Sequence, residues 1–350
     1  MNQNKLRIGV IGLGIMGEQY TRIYQAHPLA EVTAAANRSP ARLETVADKY
    51  GVTHRYTDYT EMLARAPVDA VCVATPDFAH YGPVKAALEA GKHVLCEKPF
   101  TTDLAQADEL LHLSRSRPRQ KLQVAFNHRW LAAYYHGFTA IEKGSIGRPL
   151  VGYARKNDTI WVAAEMINWA AQTTPIHFLG SHDIDLMRWF LGSEPVEAHA
   201  YGSKGVLAAR GVDTYDVIQA QVKFESGAFA TFESSWIYPN SFPTIVDSFV
   251  EVIGSAGHIH FDRKRESIEM STEERFTYPK TFLTHEVFGK LRGAFVECLN
   301  DFVDSVLGDV APKVTALDGR QVTAVLDAIS RSLVSGQKCS VTPVGMLQTT

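Results

Sequence analysis

Lys-Leu-Arg-Ile-Gly-Val-Ile-Gly-Leu-Gly-Ile-Met-Gly, residues 5–17, is the stretch that decides the fold of this 350-residue chain. The apolar run from Leu6 to Ile11 predicts a buried strand, and the residues after the stretch have the period of an amphipathic helix. The glycines between them permit a tight turn, a close approach of a pyrophosphate to the backbone, and close packing of helix on strand. The sequence therefore predicts a dinucleotide site whose turn is formed by Gly12, Leu13, Gly14, Ile15, Met16 and Gly17.

The next hundred residues alternate between strand and helix patterns. Strands are predicted at residues 31–36, 54–56, 68–75, 93–96 and 122–126, with helices between them. Such alternation predicts a parallel sheet that binds its ligand beyond the carboxyl ends of the strands. Two of those ends carry polar or proline-containing segments, so we expect further cofactor contacts from Thr75, Pro76, His80, Glu97 and Lys98.

The end of the second strand bears on the choice of cofactor. Folds that prefer NAD usually place an acidic residue here to hold the ribose hydroxyls. This chain has Asn37, followed by Arg38 and Ser39, which can bind a phosphate. The sequence therefore favours NADP. If Arg38 only stacks on the adenine, either NADP or NAD is allowed.

Composition excludes several classes of protein. The chain has 35 basic and 38 acidic residues, and 45% of its residues are hydrophobic. Its length predicts two domains, and the absence of basic or acidic blocks argues against binding of nucleic acid or a membrane surface. The N-terminus leads directly into a strand without a secretory pattern, which favours the cytoplasm. The four cysteines have no metal-ligand spacing, and we expect no metal site.

Several motifs together resemble the family of glucose–fructose oxidoreductase, inositol dehydrogenase and the rhizopine-catabolism proteins. They are the glycine turn, Ala74-Thr75-Pro76 with His80, residues 90–99 (Ala-Gly-Lys-His-Val-Leu-Cys-Glu-Lys-Pro) and residues 182–186 (His-Asp-Ile-Asp-Leu). The resemblance covers nearly the whole chain. It implies a pyridine-nucleotide oxidoreductase that acts on sugars, cyclitols or their derivatives.

The resemblance also implies the domain organisation. We expect a Rossmann domain with a doubly wound parallel sheet at residues 1–126. Residues 127–350 are then an α+β domain for substrate binding and oligomerisation, with a large, open, mainly antiparallel sheet. The C-terminal helix is a candidate for packing back on the first domain. The exposed side of the sheet is expected to form the interface of a homodimer or homotetramer.

The second half of the chain supports this on its own pattern. Hydrophobic and polar residues alternate from Asp216 to Phe224 and again from Ala228 to Trp236, with a Ser226-Gly227 turn between them. This predicts a hairpin with one buried face. Two amphipathic helices follow near the C-terminus, and Thr315 with Asp318 resembles a capping box at the start of the second.

Lys98 and His182 are the predicted catalytic residues. Lys98 lies at the C-terminal end of a strand, where the cofactor is expected. A free lysine titrates near pH 10.4, and burial beside the positive nicotinamide ring favours its neutral form, which can exchange a proton with a substrate hydroxyl. By resemblance, His182 matches the histidine of the family that shares proton transfer or binds a substrate hydroxyl. Asp185, three residues on, can orient its imidazole.

The chain departs from the family pattern at Phe178, where many relatives carry an aspartate four residues before the histidine. A phenyl ring cannot accept a proton or polarise His182. Three alternatives follow. Lys98 and His182 suffice, or His177 or another nearby polar group substitutes, or the chemistry is not simple alcohol oxidation.

Further substrate contacts are expected besides Lys98 and His182. Asn127, His128 and Arg129 follow the last strand of the first domain, and we expect Asn127 and Arg129 to be substrate ligands. Trp161 and Trp169 precede the helix of His182. Tryptophan stacks on the apolar face of a sugar ring while amide and guanidinium groups bind its hydroxyls, although both tryptophans can equally serve packing.

These features lead to three functional hypotheses. The first is an NADP- or NAD-dependent oxidoreductase that moves a hydride between the nicotinamide and a ring carbon of a sugar, cyclitol or related polyol. The second follows from Phe178 and is an enzyme that cleaves a glycosidic bond or eliminates a group through transient oxidation by tightly bound NAD(P). The third is a nucleotide-sensing regulator without catalysis, which the presence of Lys98 and His182 disfavours.

Overall fold

The first strand and the glycine turn adopt the predicted conformation in the computed structural model, which describes residues 5–345. Strand β1 spans Leu6–Ile11, and helix α1 spans Ile15–Gln25. Gly12 has φ +88°, and a Cβ on it would lie 2.7 Å from the carbonyl oxygen of Ala74. A Cβ on Gly17 would lie 1.8 Å from the carbonyl oxygen of Gly12. Packing within the protein therefore requires glycine at both positions.

Strands and helices then alternate as the sequence predicts. They are β2 (Ala30–Ala36), α2 (Pro40–Tyr50), β3 (His54–Tyr56), α3 (Tyr59–Arg65), β4 (Ala70–Val73), α4 (Tyr81–Glu89), β5 (His93–Cys96), α5 (Leu104–Arg115) and β6 (Leu122–Val124). All the strand pairs are parallel, in the order β3-β2-β1-β4-β5-β6. This confirms the predicted Rossmann sheet. Its strand order reverses between β1 and β4, which is where such sheets bind a nucleotide.

A second set of elements follows. They are α6 (Ala132–Glu142), β7 (Pro149–Thr159), α7 (Ser181–Leu191), β8 (Pro195–Ser203), β9 (Val217–Phe224), β10 (Phe229–Tyr238), β11 (Val246–Gly254), β12 (Gly257–Asp262), β13 (Met270–Ser271) and β14 (Phe276–Thr277). Strands β9 and β10 pair antiparallel, so the predicted hairpin is confirmed. Two π-helical turns, Val162–Met166 and Ile176–Gly180, lie between β7 and α7.

The remaining elements are β15 (His285–Val287), β16 (Lys290–Arg292), α8 (Ala294–Leu307), α9 (Ala316–Ser335) and β17 (Cys339–Ser340). The capping box before α9 is present, because Thr315 N–H donates to the Asp318 carboxylate at 2.8 Å and Asp318 N–H donates to Thr315 Oγ1 at 3.5 Å. Helix α8 lies against α1. The Cys298 carbonyl of α8 accepts a hydrogen bond from Gln123 Nε2 of β6.

The second sheet has seven strands in the order β12-β11-β7-β10-β9-β8-β17. Its β7–β10 pair is parallel and the other pairs are antiparallel, so it is mixed and mainly antiparallel, as expected. Helix α7 lies against β7 and β10 on one face of this sheet. The side chains of β9 alternate, with Ile218 and Ala220 buried and Gln219 and Gln221 exposed.

The contacts divide the chain into two compact units. Unit 1 extends to Asn127 and includes Thr284–Arg320, whereas unit 2 contains His128–Leu283 and the residues from Gln321 on. The domain boundary at residues 126 and 127 and the packing of the C-terminal helix stay predictions. No helix between Lys5 and Gly345 is both long enough and apolar enough to span a membrane.

Candidate functional site

The glycine turn in unit 1 has room for a ligand at its middle glycine. Gly14 has φ −67° and ψ −158°, which other residues can adopt, and a Cβ on it would meet no atom within 4 Å. Unlike Gly12 and Gly17, it is not required by packing within the protein. Gly14 is also the N-cap of α1 and supplies no side chain to the first backbone N–H groups of the helix. This arrangement fits a pyrophosphate bound by those N–H groups.

The contrast between two glycines makes a testable prediction. Gly14→Ala is expected to keep the wild-type stability but to weaken binding of the nucleotide by at least about tenfold, because the new methyl group occupies the space for the phosphate. Gly17→Ala is the comparison variant, and its clash with the Gly12 carbonyl is expected to lower the midpoint of urea unfolding. Nucleotide titration and unfolding of both variants test this. Wild-type nucleotide affinity in folded Gly14→Ala would contradict it.

Two side chains hold the turn in place through Leu13. The Leu13 N–H donates to Asn37 Oδ1 at 3.0 Å, and the Leu13 carbonyl accepts from Arg42 Nε at 2.7 Å. Asn37 Nδ2 in turn donates to the Ser39 carbonyl at 3.0 Å. Asn37, predicted as a cofactor contact, therefore connects the glycine turn to the segment after β2. Arg42 was not predicted, since nothing in the sequence places its guanidinium beside Leu13.

The segment after β2 presents an exposed cation and no carboxylate. Arg38 is exposed, and the Ser39 side chain is the N-cap of α2, where it accepts from Arg42 N–H at 3.4 Å. The acidic Glu18 nearby is already engaged by Arg42 and Lys49. Because no acidic side chain ends β2, the site lacks the group that would repel a 2′-phosphate.

Lys98 is the second residue after β5 and lies on the same edge of the sheet as the glycine turn after β1. Its backbone N–H donates to Glu97 Oε2 at 3.0 Å, and the other Glu97 oxygen accepts from the Tyr20 hydroxyl. Burial raises the pKa of the Glu97 carboxyl. Glu97, predicted as a cofactor contact, is thus a buried group that fixes the backbone of Lys98, while the Lys98 side chain is half-buried.

His80 connects the ends of β4 and β5. Its ring nitrogens lie 2.7 Å from the Pro99 carbonyl oxygen and 2.9 Å from that of Thr75. Thr75 Oγ1 donates to the Ala79 carbonyl at 3.1 Å, and Pro76 precedes the short 3-10 helix Asp77–Ala79. Burial lowers the pKa of His80 to about 4. The imidazole is therefore neutral at pH 7, and its single N–H donates to one of these two carbonyls while the ring packs between the loop after Lys98 and the loop of Thr75.

This buried imidazole predicts loss of stability in acid. An unfolded histidine binds a proton near pH 6.5, whereas folded His80 does so only near pH 4. Stability is therefore lost as the pH falls below about 6.5, by about 2 kcal/mol between pH 7.5 and pH 5 from this group alone. Urea unfolding across this range is expected to show a weaker pH dependence for His80→Gln than for wild type, with exposed His54→Gln as the control. Equal pH dependence in all three proteins would contradict this.

In unit 2, His182 lies near the start of α7 and is buried against a second histidine. The ring of His128 stacks on that of His182, with centroids 4.0 Å apart and an interplanar angle of 15°. His128 Nδ1 lies 3.4 Å from Lys156 Nζ, and its Nε2 lies 3.4 Å from Arg263 Nη1. Two cationic side chains therefore face the His128 ring.

A buried ion pair lies next to His182 in sequence. Lys156 Nζ donates to Asp183 Oδ1 at 2.6 Å, and both side chains are almost fully excluded from solvent. Burial raises the pKa of the Asp183 carboxyl, and the attraction of Lys156 opposes that shift. Lys156 is on β7, whose Ala154 is buried on the same face. The pair therefore joins β7 to the first turn of α7.

Asp185 and Arg129 form a second ion pair in unit 2. Arg129 donates from Nε and Nη2 to the two carboxylate oxygens of Asp185, at 2.8 and 2.6 Å. The Arg129 guanidinium also lies over the ring of Trp189, 5.6 Å from its centroid. Both Asp185 oxygens accept hydrogen bonds from Arg129, and the orientation of His182 by Asp185 stays a prediction. Arg129 is predicted as a substrate ligand, and its guanidinium forms the ion pair with Asp185.

The side chains around Phe178 are apolar. Phe178 packs edge-on against Trp169 and Trp236, with centroids 5.8 and 5.6 Å away. These rings belong to a hydrophobic cluster in unit 2, so Trp169 has the packing role that the sequence left open. Trp161 is 37% exposed, and its backbone N–H donates to Asn240 Oδ1.

His177 precedes Phe178 and is the group suggested as a substitute for the missing aspartate. Its Nδ1 lies 2.8 Å from Thr174 Oγ1, and burial lowers its pKa to about 4. It is therefore neutral at pH 7 and supplies no negative charge. Asn127, in unit 1, is buried and donates from Nδ2 to the Ala125 carbonyl at 3.3 Å, while its Oδ1 has no hydrogen-bond partner among the described residues.

Comparisons with known proteins find two family models that together match most of the chain. A family model described as "Oxidoreductase family, NAD-binding Rossmann fold" matches residues 6–126, and one described as "Oxidoreductase family, C-terminal alpha/beta domain" matches residues 139–342. The chain is 29% identical over 333 residues to myo-inositol 2-dehydrogenase of Thermotoga maritima. This alignment covers 94% of this chain and 96% of that protein.

Solved structures with the same fold include two inositol dehydrogenases. Myo-inositol 2-dehydrogenase from Lactobacillus plantarum superposes with a TM-score of 0.83 at 25% identity, over 97% of this chain and 100% of that chain. Scyllo-inositol dehydrogenase from Lactobacillus casei, with bound NAD(H) and scyllo-inositol, has a TM-score of 0.83 at 23% identity, over 97% and 99% of the two chains. At 23% identity, the likeness to the Lactobacillus casei enzyme shows a shared fold.

Proposed function

The chain belongs to the Gfo/Idh/MocA oxidoreductase family, and we propose that it is an NAD(P)-dependent dehydrogenase of a sugar, cyclitol or related polyol. The observation that carries this proposal is the placement of Lys98. It is the second residue after β5, on the sheet edge where the glycine turn follows β1, and Glu97 and His80 contact its loop. An amine on that edge is suited to proton exchange with a substrate that reacts with the bound nucleotide.

In this proposal the side chains of the protein move the proton. The bound nicotinamide supplies the acceptor or donor of the hydride at a ring carbon of the substrate. Lys98 Nζ accepts the proton of the ring hydroxyl in oxidation and returns it in reduction. His182 assists by sharing proton transfer or by binding a substrate hydroxyl, and its ring is held by the stack with His128.

The ion pair of Lys156 and Asp183 is the charged group that we propose in place of the family aspartate. Phe178 lies among aromatic rings and cannot act on a proton. Asp183 is adjacent to His182 in sequence and is held by Lys156, which also lies beside His128. We propose that this pair positions the two stacked histidines and takes no direct part in proton transfer.

A cyclitol is the substrate class that the relatives favour. The Thermotoga maritima and Lactobacillus plantarum relatives are named as myo-inositol 2-dehydrogenases. Asn127 and Trp161 are the additional substrate contacts that we propose, because a buried amide oxygen and a partly exposed indole suit a polyol ring. Arg129 and Trp169 are engaged with other side chains of unit 2 and are not included.

NADP is the cofactor that we propose, with NAD as the alternative. Arg38 and Ser39 follow β2 without a carboxylate, so a 2′-phosphate meets a cation there. We expect NADP to bind more tightly than NAD, and Arg38→Ala to lower the affinity for NADP by about tenfold with little change for NAD. Titration of both oxidised nucleotides tests this, with Arg65→Ala, at an exposed helix position, as the control. An equal effect of Arg38→Ala on both nucleotides would instead indicate stacking on the adenine.

Phe178 also supports a second candidate. Without a charged group at this position, the chain could use transient oxidation to cleave a glycoside or eliminate a group, with no net change in NAD(P). A regulator that binds the nucleotide without catalysis is a third candidate. Purified protein mixed with each oxidised nucleotide and a panel of cyclitols, monosaccharides and glycosides separates the three when both absorbance and products are followed.

Each outcome of that panel identifies one function. Net reduction that is lost in Lys98→Ala supports the dehydrogenase. Glycoside breakdown without net reduction supports transient oxidation. Nucleotide binding with no reaction on any carbohydrate supports the regulator.

We also propose a homodimer or homotetramer formed through the second sheet. The face of this sheet opposite α7 carries large exposed side chains, including Tyr201, 72% exposed, and Phe229, 47% exposed. Apolar surface of this kind is typical of an interface between copies. Light scattering measures the mass, and a monomer at micromolar concentration would contradict the proposal.

A further inference from the structure

Two histidines and a glutamate meet on the edge of the second sheet, outside the residues used above. His258 and His260 are two positions apart on β12, so both side chains point to the same face of the sheet. The neighbouring residues of the same strand, Ile259 and Phe261, point to the opposite face, where Phe261 packs against Tyr134 and Phe190. The two imidazoles therefore lie on the outer face, and both residues are exposed.

The register of the sheet brings the glutamate to them. Glu251 on β11 lies directly opposite His260 in the antiparallel pair, so it is a diagonal neighbour of His258. Side chains in these positions are within reach of one another. One ligand atom from each of the three residues, an imidazole nitrogen or a carboxylate oxygen, lies within 4.8 Å of the others.

We propose that Glu251, His258 and His260 bind one divalent transition-metal ion, with zinc as the probe. Two imidazoles and one carboxylate are ligands that zinc accepts in four-coordinate sites, and three protein ligands leave one position for water or another ligand. This proposal departs from the expectation of no metal, which rested on cysteine spacing. The signal in the sequence is His-x-His, and the third ligand comes only from the cross-strand register.

The spacing of the ligands is compatible with such a site. A zinc ion with bonds of about 2.1 Å in tetrahedral geometry holds its ligand atoms about 3.4 Å apart. The ligand atoms, now within 4.8 Å, reach that spacing by rotation of exposed side chains. β12 is an edge strand of the sheet, so these rotations meet little packing within one chain. Asp262 is on the same face, but its Oδ1 accepts from Lys264 N–H at 2.9 Å and we do not include it.

Equilibrium dialysis of the full chain against zinc chloride tests the proposal. We expect one zinc per chain, and affinity at least about tenfold weaker in His258→Ala and in His260→Ala, because each removes one of three ligands. Loss of saturable binding is expected in the double variant. His199→Ala is the matched control, since His199 lies on β8 of the same sheet without a second histidine at the next outward position. Nucleotide affinity and circular dichroism check that each variant folds.

X-ray absorption gives an independent readout. Zinc bound at this site is expected to have Zn–N distances of about 2.0–2.1 Å from two imidazoles, and that signature should disappear in the double variant. Failure of the wild-type chain to bind zinc at submillimolar concentration would overturn the proposal. Equal zinc binding by the wild-type chain and the double variant would overturn it as well. Neither result depends on whether the chain is a dehydrogenase.

Discussion

Lys98→Ala is expected to lower the rate of hydride transfer by about 10²–10⁴-fold, because it removes the proposed principal acid/base. The loop that carries Lys98 is held by its backbone N–H, through Glu97, and by the contact of His80 with Pro99. Neither contact needs the lysine side chain, so the loop should keep its conformation. We therefore expect the loss in kcat/KM without a comparable loss of stability.

The matched control for this variant is Lys92→Ala. Lys92 precedes the amino end of β5, whereas Lys98 follows its carboxyl end, and Lys92 Nζ donates to the Val68 carbonyl at 2.9 Å. We expect wild-type turnover from this variant. Added small primary amines should restore part of the activity of Lys98→Ala, which a purely structural lysine would not allow. Full activity in Lys98→Ala would remove Lys98 from the chemistry.

Asp183→Ala is expected to lower the free energy of unfolding by about 3–5 kcal/mol, because it leaves the buried Lys156 ammonium without its carboxylate. The Lys156–Asp183 pair is almost fully excluded from solvent, and Lys156 also faces His128. The remaining positive charges would disfavour the folded state around the stacked histidines. Urea unfolding measures this loss.

Two further variants separate the ion pair from its surroundings. Replacing both partners, with Lys156→Met and Asp183→Leu together, should recover much of the stability, since no unpaired buried charge remains. Asp213→Ala is the control, because its pair with Lys204 at 3.2 Å is exposed and should contribute less than about 1 kcal/mol. A loss in Asp183→Ala no greater than that in Asp213→Ala would show that the buried pair does not stabilise unit 2.

Local patterns predicted much of the fold. The turn at residues 12–17, the parallel sheet and the β9–β10 hairpin each follow from hydrophobic period and turn residues over short stretches. These signals do not depend on which distant residues pack together. The requirement for glycine at Gly12 and Gly17 is equally local, because the clashing atoms belong to the turn or to the neighbouring strand end.

The contacts within the site were harder to predict. The sequence gives no means of pairing His128 with His182, or Arg42 with Leu13, because each pair is far apart along the chain. Arg129 was assigned to a substrate because guanidinium groups bind hydroxyls, but the Asp185 carboxylate is the partner that the fold brings to it. One local signal existed at Lys156, a charged residue at an inward position of β7.

The central claim is that a ring alcohol passes its hydride to the nucleotide bound by this chain, and isotope transfer tests it most directly. The wild-type chain is mixed with oxidised NADP or NAD and a cyclitol deuterated at its ring carbons, and the recovered nucleotide is analysed by mass spectrometry. The account predicts reduced nucleotide that carries deuterium on the nicotinamide ring, formed much more slowly by Lys98→Ala. Nucleotide that binds but gains neither hydride nor deuterium from any ring alcohol would contradict it.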